Sequence, residues 1–234
     1  MDKYLIGFSL QGKSTFEELM TWVLALCDMG IRNFEIAPIQ LEWVPKLRRF
    51  LLTSGCIISA LHGHKSFYDE PISTQMRSFK YYKYLSETLN IPKIILHPPN
   101  CLDSLSELYI DHEMSKTSVA IETTNPSALD FYQHIVSMGI TCDLVLDVAH
   151  LARSCPENLP IPNLDKYYLH VRGWNSNEAY TRFSKGSESV LPWIYKVLSR
   201  KKTMIMMLEY PYQSTKEVQL DMLQLKKSME RITL

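Results

Sequence analysis

The 234-residue sequence is 46% hydrophobic and 21% charged, the composition of a soluble globular protein that can bury one large core. Its 25 Lys and Arg residues balance 25 Asp and Glu residues, and this net charge of zero gives no electrostatic signature of nucleic-acid binding. No apolar run reaches the length of a membrane span, and the first residues lack a signal-peptide pattern. We therefore expect a cytoplasmic protein without a membrane partner.

The cysteines support the same expectation about the compartment. They are odd in number, scattered, and form no Cys-x-x-Cys pair: Cys27, Cys56, Cys101, Cys142 and Cys155. Disulfide frameworks and structural zinc sites need paired spacings, so this pattern predicts reduced cysteines of a cytoplasmic protein.

Short apolar runs predict eight strands, at residues 4–9, 34–37, 56–61, 93–96, 119–121, 144–146, 167–169 and 203–208. Segments with helical spacing lie between them. The first runs from a cap at Ser14 or Thr15 to Gly30, and the next three cover residues 43–52, 73–89 and 102–116. The later ones run from Asn125 or Ser127 to Gly139, through 190–198, and over 215–232. Residues 152–162 contain three prolines and are predicted as a loop.

Strands and helices alternate along the whole chain without a linker or a change in composition. Such alternation indicates βαβ units and a parallel sheet. Eight units in this length fit a closed (β/α)8 TIM barrel better than an open sheet, and no Gly-x-Gly-x-x-Gly follows any strand. The sequence therefore predicts a single α/β domain over residues 1–234.

Polar residues stand where the predicted strands end. They are His62, His64, His97, Glu122, Asp147, His170 and Glu209, with His150 just beyond. An ionised carboxylate at such a position is costly unless it is paired, hydrogen-bonded or metal-bound, although Asp147 taken alone could equally be a helix cap. In a TIM barrel the carboxyl ends of the strands carry the active site, so we expect these side chains to converge at one mouth.

Mixed imidazole and carboxylate ligands suit zinc, manganese, cobalt, iron or, less well, magnesium. One divalent ion is expected on Glu122, Asp147, His170 and Glu209. His62 and His97 could hold a second ion, with Glu122 as the bridge. The alternative is a hydrogen-bonded polar rim without metal, which we disfavour because converging carboxylates without a cation would repel one another.

Six motifs along predicted strands three to eight carry a resemblance to a known superfamily. They are Leu61-His62, Leu96-His97-Pro98, Ala120-Ile121-Glu122-Thr123, Asp147-Val148-Ala149-His150, Leu169-His170-Val171 and Leu208-Glu209. The pattern resembles the xylose isomerase-like barrels, which include sugar epimerases and isomerases and the endonuclease IV type of abasic-site nuclease.

The resemblance implies roles for particular residues. In that superfamily, the residues matching Glu122, Asp147, His170 and Glu209 bind a divalent metal. In the epimerases, the two glutamates also exchange a proton with the substrate carbon. His150 matches a histidine that contacts substrate oxygens, and Arg172 is a shifted counterpart of a substrate-binding arginine.

The chain also departs from the nuclease pattern. Endonuclease IV-type enzymes complete a third metal site with Asp-x-His after strand seven, whereas residues 175–183 here contain no histidine and no such motif. The short length and the balanced charge also weigh against a three-metal nuclease. His62 and His97 nevertheless resemble the first metal site of the nucleases, so a two-metal centre stays open.

Two further residues near the predicted mouth are candidates for substrate contact, His64 and Trp174. For Trp174 we weigh packing and a substrate-pocket wall equally. Lys185-Gly186-Ser187 resembles a phosphate-binding loop, but because it is a single short motif we interpret it as an ordinary turn.

Together these features predict a metal-dependent isomerase or epimerase acting on a small sugar-like or carbonyl substrate, with Glu122 and Glu209 as acid and base. The alternative is a metal-dependent hydrolase, an endonuclease IV-like phosphodiesterase with two metals, and the third hypothesis is a non-enzymatic binding barrel. We expect a small-molecule partner and no useful cleavage of nucleic acid. The substrate, the metal and the oligomeric state stay open, with a homo-oligomer among the alternatives.

Overall fold

A computed structural model describes residues 4–99, 117–125, 127–155, 159–175, 180–200 and 202–230. Its eight strands are all parallel and form a closed barrel in chain order, which confirms the predicted α/β TIM barrel. The strands are β1 Tyr4–Ser9, β2 Asn33–Ile36, β3 Ile57–His62, β4 Lys93–Leu96, β5 Ser118–Glu122, β6 Asp143–Asp147, β7 Lys166–Val171 and β8 Thr203–Leu208. Every predicted strand is present, with ends that shift by two residues at most.

The described helices surround this barrel. They are α1 Phe16–Asp28, α2 Val44–Ser54, α3 Ile72–Leu89, α4 Ala128–Ser137, α5 Val148–Ser154, α6 Phe183–Leu198 and α7 Thr215–Glu230. Two short 3-10 helices, Leu41–Trp43 and Phe67–Asp69, lie before α2 and α3. The helix predicted over residues 102–116 falls outside the described residues.

Two local predictions need correction. The loop predicted over residues 152–162 overlaps α5, which starts directly after β6 and continues to Ser154. Lys185-Gly186-Ser187 is not a separate turn but lies in the first turns of α6, where Gly186 has non-helical dihedral angles. A Cβ at Gly186 would come within 2.5 Å of Thr181 Oγ1 and 2.7 Å of the Trp174 backbone nitrogen. Glycine is therefore needed there because two backbone segments approach closely.

Side chains from the six consecutive strands β3 to β8 fill the inside of the barrel beneath the mouth. This interior cluster consists of Ala60, Ile95, Ala120, Val145, Tyr168, Ile205 and Met207. A larger apolar layer packs between the strands and the helices. The interior is thus a packed core, and the polar residues at the mouth lie directly above these packed side chains.

Within the part of the chain that the structure describes, no helix is both long and apolar enough to cross a bilayer.

Candidate metal centre

The predicted polar residues meet at one mouth of the barrel. Glu122, Asp147 and His62 end their strands, His170 is the next-to-last residue of β7, and Glu209 directly follows β8. Because all strands are parallel, their carboxyl ends lie on the same side of the sheet. The structure therefore brings together residues that lie far apart in the sequence, while their roles as ligands stay predictions.

The first candidate donor set is the predicted quartet of Glu122, Asp147, His170 and Glu209. One ligand atom from each lies within 4.8 Å of all the others. His170 Nδ1 is 2.7 Å from Glu122 Oε1 and 3.3 Å from Glu209 Oε2. The first three residues are buried, and the Glu209 side chain is 16% exposed, so the set opens toward the mouth on the Glu209 side.

The second candidate donor set contains His62, His97 and Glu122. His62 Nε2 lies 2.9 Å and His97 Nε2 3.1 Å from the same oxygen, Glu122 Oε2. His62 Nδ1 donates to the Gly63 carbonyl oxygen, which leaves Nε2 as the coordinating nitrogen. Glu122 thus presents Oε1 to the first set and Oε2 to the second, the arrangement of a bridging carboxylate.

Two buried atoms of these sets test whether the residues fit a metal ion. His97 Nε2 lies 3.1 Å from Glu122 Oε2 and Glu209 Oε2 lies 3.3 Å from His170 Nδ1, yet neither atom makes a hydrogen bond within the described chain. A buried polar atom without a hydrogen bond costs free energy, which coordination to a cation would recover. Imidazole nitrogens and carboxylate oxygens around one position are also the ligands that zinc, manganese and iron accept. The residues therefore fit a divalent metal ion.

Glu35 on β2 is a site residue that sequence reasoning missed. Its side chain is 0% exposed and accepts four hydrogen bonds. Oε1 accepts from Ser9 Oγ and Gln11 Nε2, and Oε2 accepts from Tyr168 OH and His170 Nε2. A carboxylate inside a short apolar strand was the available signal, by the same argument that was applied to Asp147.

Glu35 also decides which nitrogen of His170 can bind a metal. Because His170 Nε2 donates to Glu35 Oε2 at 2.8 Å, Nδ1 is the atom that faces Glu122 and Glu209. A carboxylate that orients a ligating histidine in this way fixes its tautomer and raises its basicity. Gln11, also missed, joins the two groups because its Nε2 donates to both Glu35 and Glu209.

Asp147 combines the two roles considered for it. Its Oδ1 accepts hydrogen bonds from the backbone nitrogens of Ala149 and His150, so the residue caps α5. Its Oδ2 accepts from Arg172, and the residue also belongs to the first donor set. The cap holds the carboxylate at a fixed position at the end of β6.

The two residues predicted to contact substrate, His150 and Arg172, lie beside this carboxylate. The Arg172 guanidinium stacks on the ring of Tyr180 at 4.0 Å, and its buried Nε has no hydrogen-bond partner in the described ranges. Tyr180 OH lies 2.9 Å from His150 Nδ1, and Arg153 donates to the same hydroxyl. Arg172, His150 and Tyr180 thus form a polar wall with one free N–H donor.

The remaining candidates are less closely tied to the donor sets. The His64 ring contacts Ser66 Oγ at 3.0 Å and belongs to neither set. Trp174 is half-buried, packs against the main core, and donates its backbone N–H to the Gly186 carbonyl oxygen. Their contact with a substrate stays a prediction.

The pKa values of the cluster show which positive charges a bound cation would replace. Burial opposes ionisation of Glu122, but His170, His97 and His62 outweigh it and hold the pKa of this carboxyl well below its usual range. Burial likewise opposes protonation of His62, yet Glu122 outweighs it and raises the pKa of His62 to about 9. Burial, reinforced by Glu122, raises the pKa of Glu209 although His170 lowers it. In the metal-free chain, protonated imidazoles therefore supply the positive charge that the carboxylates require.

Comparisons with known proteins support the fold. No protein-family model matches the sequence, and no curated protein matches it. Among solved structures, 3-keto-D-glucoside 4-epimerase from E. coli has a TM-score of 0.64 and 13% identity, over 96% of this chain and 98% of that one. Endonuclease IV from Thermus thermophilus has a TM-score of 0.64 and 14% identity, over 97% and 99%.

A xylose isomerase-like TIM barrel protein from Mycobacterium smegmatis, in complex with magnesium, also has a TM-score of 0.64, at 12% identity over 97% of both chains. Identities this low establish a shared fold and leave the reaction open. The chain therefore has the xylose isomerase-like TIM barrel fold, as its strand-end motifs predicted.

Proposed function

We propose that this protein is a divalent-metal-dependent hydrolase with two ions bridged by Glu122, and that it cleaves a phosphodiester in a small molecule. The main observation in support is that the two carboxylate oxygens of Glu122 face different donor sets. Oε1 lies near His170, and Oε2 lies near His62 and His97. On this ground we rank hydrolysis above the isomerisation that the sequence favoured. A carboxylate with both oxygens committed to metal sites is poorly placed to carry a proton to and from a substrate carbon.

Two bound divalent ions would polarise a phosphoryl oxygen and activate water for attack on phosphorus. Glu122, Asp147, His170 and Glu209 would hold one ion, and His62, His97 and Glu122 the other. The two donor sets together favour zinc, manganese, cobalt or iron over magnesium because three of their six residues are histidines.

The polar wall supplies the contacts that an anionic ester needs. Arg172 keeps a buried, unpaired Nε–H, and a guanidinium presents its donors in a planar fork that matches phosphate oxygens. Stacking on Tyr180 and the ion pair with Asp147 hold that fork in place. His150 and Tyr180 share a hydrogen bond between Nδ1 and OH, and the Tyr180 ring packs against this arginine.

A small substrate is proposed over nucleic acid for two reasons. The net charge is zero, whereas proteins that bind nucleic acid depend on neutralising many phosphates. The Asp-x-His motif that completes the third metal site of endonuclease IV-type enzymes is also absent from residues 175–183.

Metal content and hydrolysis test the proposal together. Protein purified without chelator should contain two ions per chain, and His97→Asn should lose one while the control His134→Asn, on α4, keeps both. The metal-loaded protein should hydrolyse bis(p-nitrophenyl) phosphate, and Glu122→Gln should abolish this activity. One ion per chain that His97→Asn leaves unchanged would contradict the two-metal centre, and incision of an abasic duplex abolished by Glu122→Gln would contradict the small substrate.

The second candidate is the isomerase or epimerase predicted from the sequence. It is favoured by one observation: Glu122 Oε1 and Glu209 Oε2 both lie close to His170 Nδ1, so two glutamates flank one metal position. Two carboxylates at one ion can act as base and acid across a substrate carbon. Exchange of a substrate C–H hydrogen with solvent deuterium, dependent on Glu209 and on a single ion, would establish this reaction instead.

A further inference from the structure

Two cysteines that the sequence separates by 29 positions are in contact at the amino-terminal end of the barrel. Cys27 lies in the last turn of α1, and Cys56 directly precedes β3. Their Sγ atoms are 3.2 Å apart, and both are free thiols. A disulfide bond is about 2.0 Å long, so the sulfurs need to move only roughly 1 Å closer to be joined.

The two thiols differ in access to solvent. Cys27 is half-buried, whereas Cys56 is only 4% exposed. Burial, with the neighbouring Cys56 thiol adding to it, raises the pKa of Cys27 to about 11. Its thiolate is therefore scarce at neutral pH, and the pair stays reduced until an oxidant is abundant or the pH rises.

We infer that Cys27 and Cys56 form a redox-active dithiol that closes to an intramolecular disulfide by exchange with a small disulfide such as oxidised glutathione. The Cys27 thiolate attacks one sulfur of the oxidant, its S–S bond breaks, and one glutathione thiolate leaves. The Cys56 thiolate then attacks Cys27 Sγ in the mixed disulfide and expels the second glutathione. The two cysteines lose two electrons and two protons, and one oxidised glutathione becomes two reduced molecules.

The bond would restrain the part of the barrel that carries Glu35. It joins α1 to β3 across β2, which lies between β1 and β3 in the barrel. The closed loop contains β2 and α2, so the unfolded chain loses conformational freedom when the bond forms. A loop of this length in a domain of this size should raise the melting temperature by roughly 5–15 °C.

Cys142 provides a matched control. It is also buried, and burial together with Asp143 raises its pKa to about 12. Its sulfur donates to the Asp143 carbonyl oxygen and has no sulfur partner among the described residues. Cys142 and Cys56 are therefore both buried, and they differ in that Cys56 has a neighbouring thiol, that of Cys27.

The experiment treats the full-length protein with excess oxidised glutathione at mildly alkaline pH, followed by intact mass, peptide mapping and thermal melts. We expect a loss of two hydrogens, a Cys27–Cys56 linked peptide, and a rise in melting temperature that dithiothreitol reverses. Cys142→Ser should behave like the wild type. Cys56→Ser should stop at one glutathionyl group on Cys27, and Cys27→Ser should carry none at position 56.

The wild-type peptide map decides the proposal even where a variant folds poorly. A disulfide that links any other pair would overturn it. So would an oxidised protein in which Cys27 and Cys56 can both still be alkylated after denaturation.

Discussion

Replacing Glu35 by glutamine should destabilise the protein and weaken metal binding, because Glu35 orients His170 in the candidate metal centre. The four donors to Glu35 divide evenly, with Ser9 and Gln11 on Oε1 and Tyr168 and His170 on Oε2. In Glu35→Gln, one of these oxygens becomes an NH2 group that can only donate. The hydroxyls of Ser9 and Tyr168 can rotate to accept, but an N–H of Gln11 or of His170 then faces another donor.

The cost follows from these contacts. One buried donor without a partner costs about 1–3 kcal/mol, and the charge-assisted bond to His170 adds about 1.5–3 kcal/mol. We therefore expect a loss of about 2.5–6 kcal/mol in the free energy of unfolding of the metal-free protein. Metal affinity should fall roughly 10–100-fold, because a carboxylate that orients a ligating histidine contributes about that much.

Chemical denaturation in the presence of chelator and titration with zinc measure the two effects. The matched control is Glu42→Gln, the same substitution at an exposed position in the 3-10 helix Leu41–Trp43. It should leave both quantities unchanged. If Glu35→Gln also unfolds and binds zinc like the wild type, then Glu35 does not hold His170 in its ligating orientation.

Two further predictions concern the rim of the barrel. Glu209→Gln should abolish turnover yet cost less stability than the core truncation Leu146→Ala, whose cavity costs about 2–5 kcal/mol. If the variant keeps full metal occupancy and wild-type turnover, Glu209 is neither a metal ligand nor a catalytic residue. In chelator, the raised pKa of His62, about 9 against a usual 6.5, means that its contribution to stability is complete below pH 6.5 and disappears as the pH rises toward 9. The lowered pKa values of Glu35 and Glu122 act oppositely, since their contribution disappears as the pH falls below about 4.5. Unfolding measured in chelator from about pH 4 to 9 should therefore give a maximum near pH 5–6.5, and a rising limb above pH 7 would contradict this assignment.

The sequence by itself determined the architecture and most of the site. Alternation of short apolar strands with amphipathic helices depends only on local periodicity, so it can be read from neighbouring residues. In a closed parallel barrel, every strand end then faces one mouth, and the positions of Glu122, Asp147, His170 and Glu209 follow without further information. Asp147 also showed its helix cap in the sequence, because a cap is a contact between near neighbours.

Tertiary structure alone decided which atoms face each other. Glu35 and His170 lie 135 positions apart, and only closure of the barrel brings β2 and β7 to the same interior position. The division of Glu122 between two donor sets and the contact of Cys27 with Cys56 depend in the same way on side-chain directions across separate elements. No local pattern encodes such directions, because they are set by strand register and by packing between segments distant in the chain.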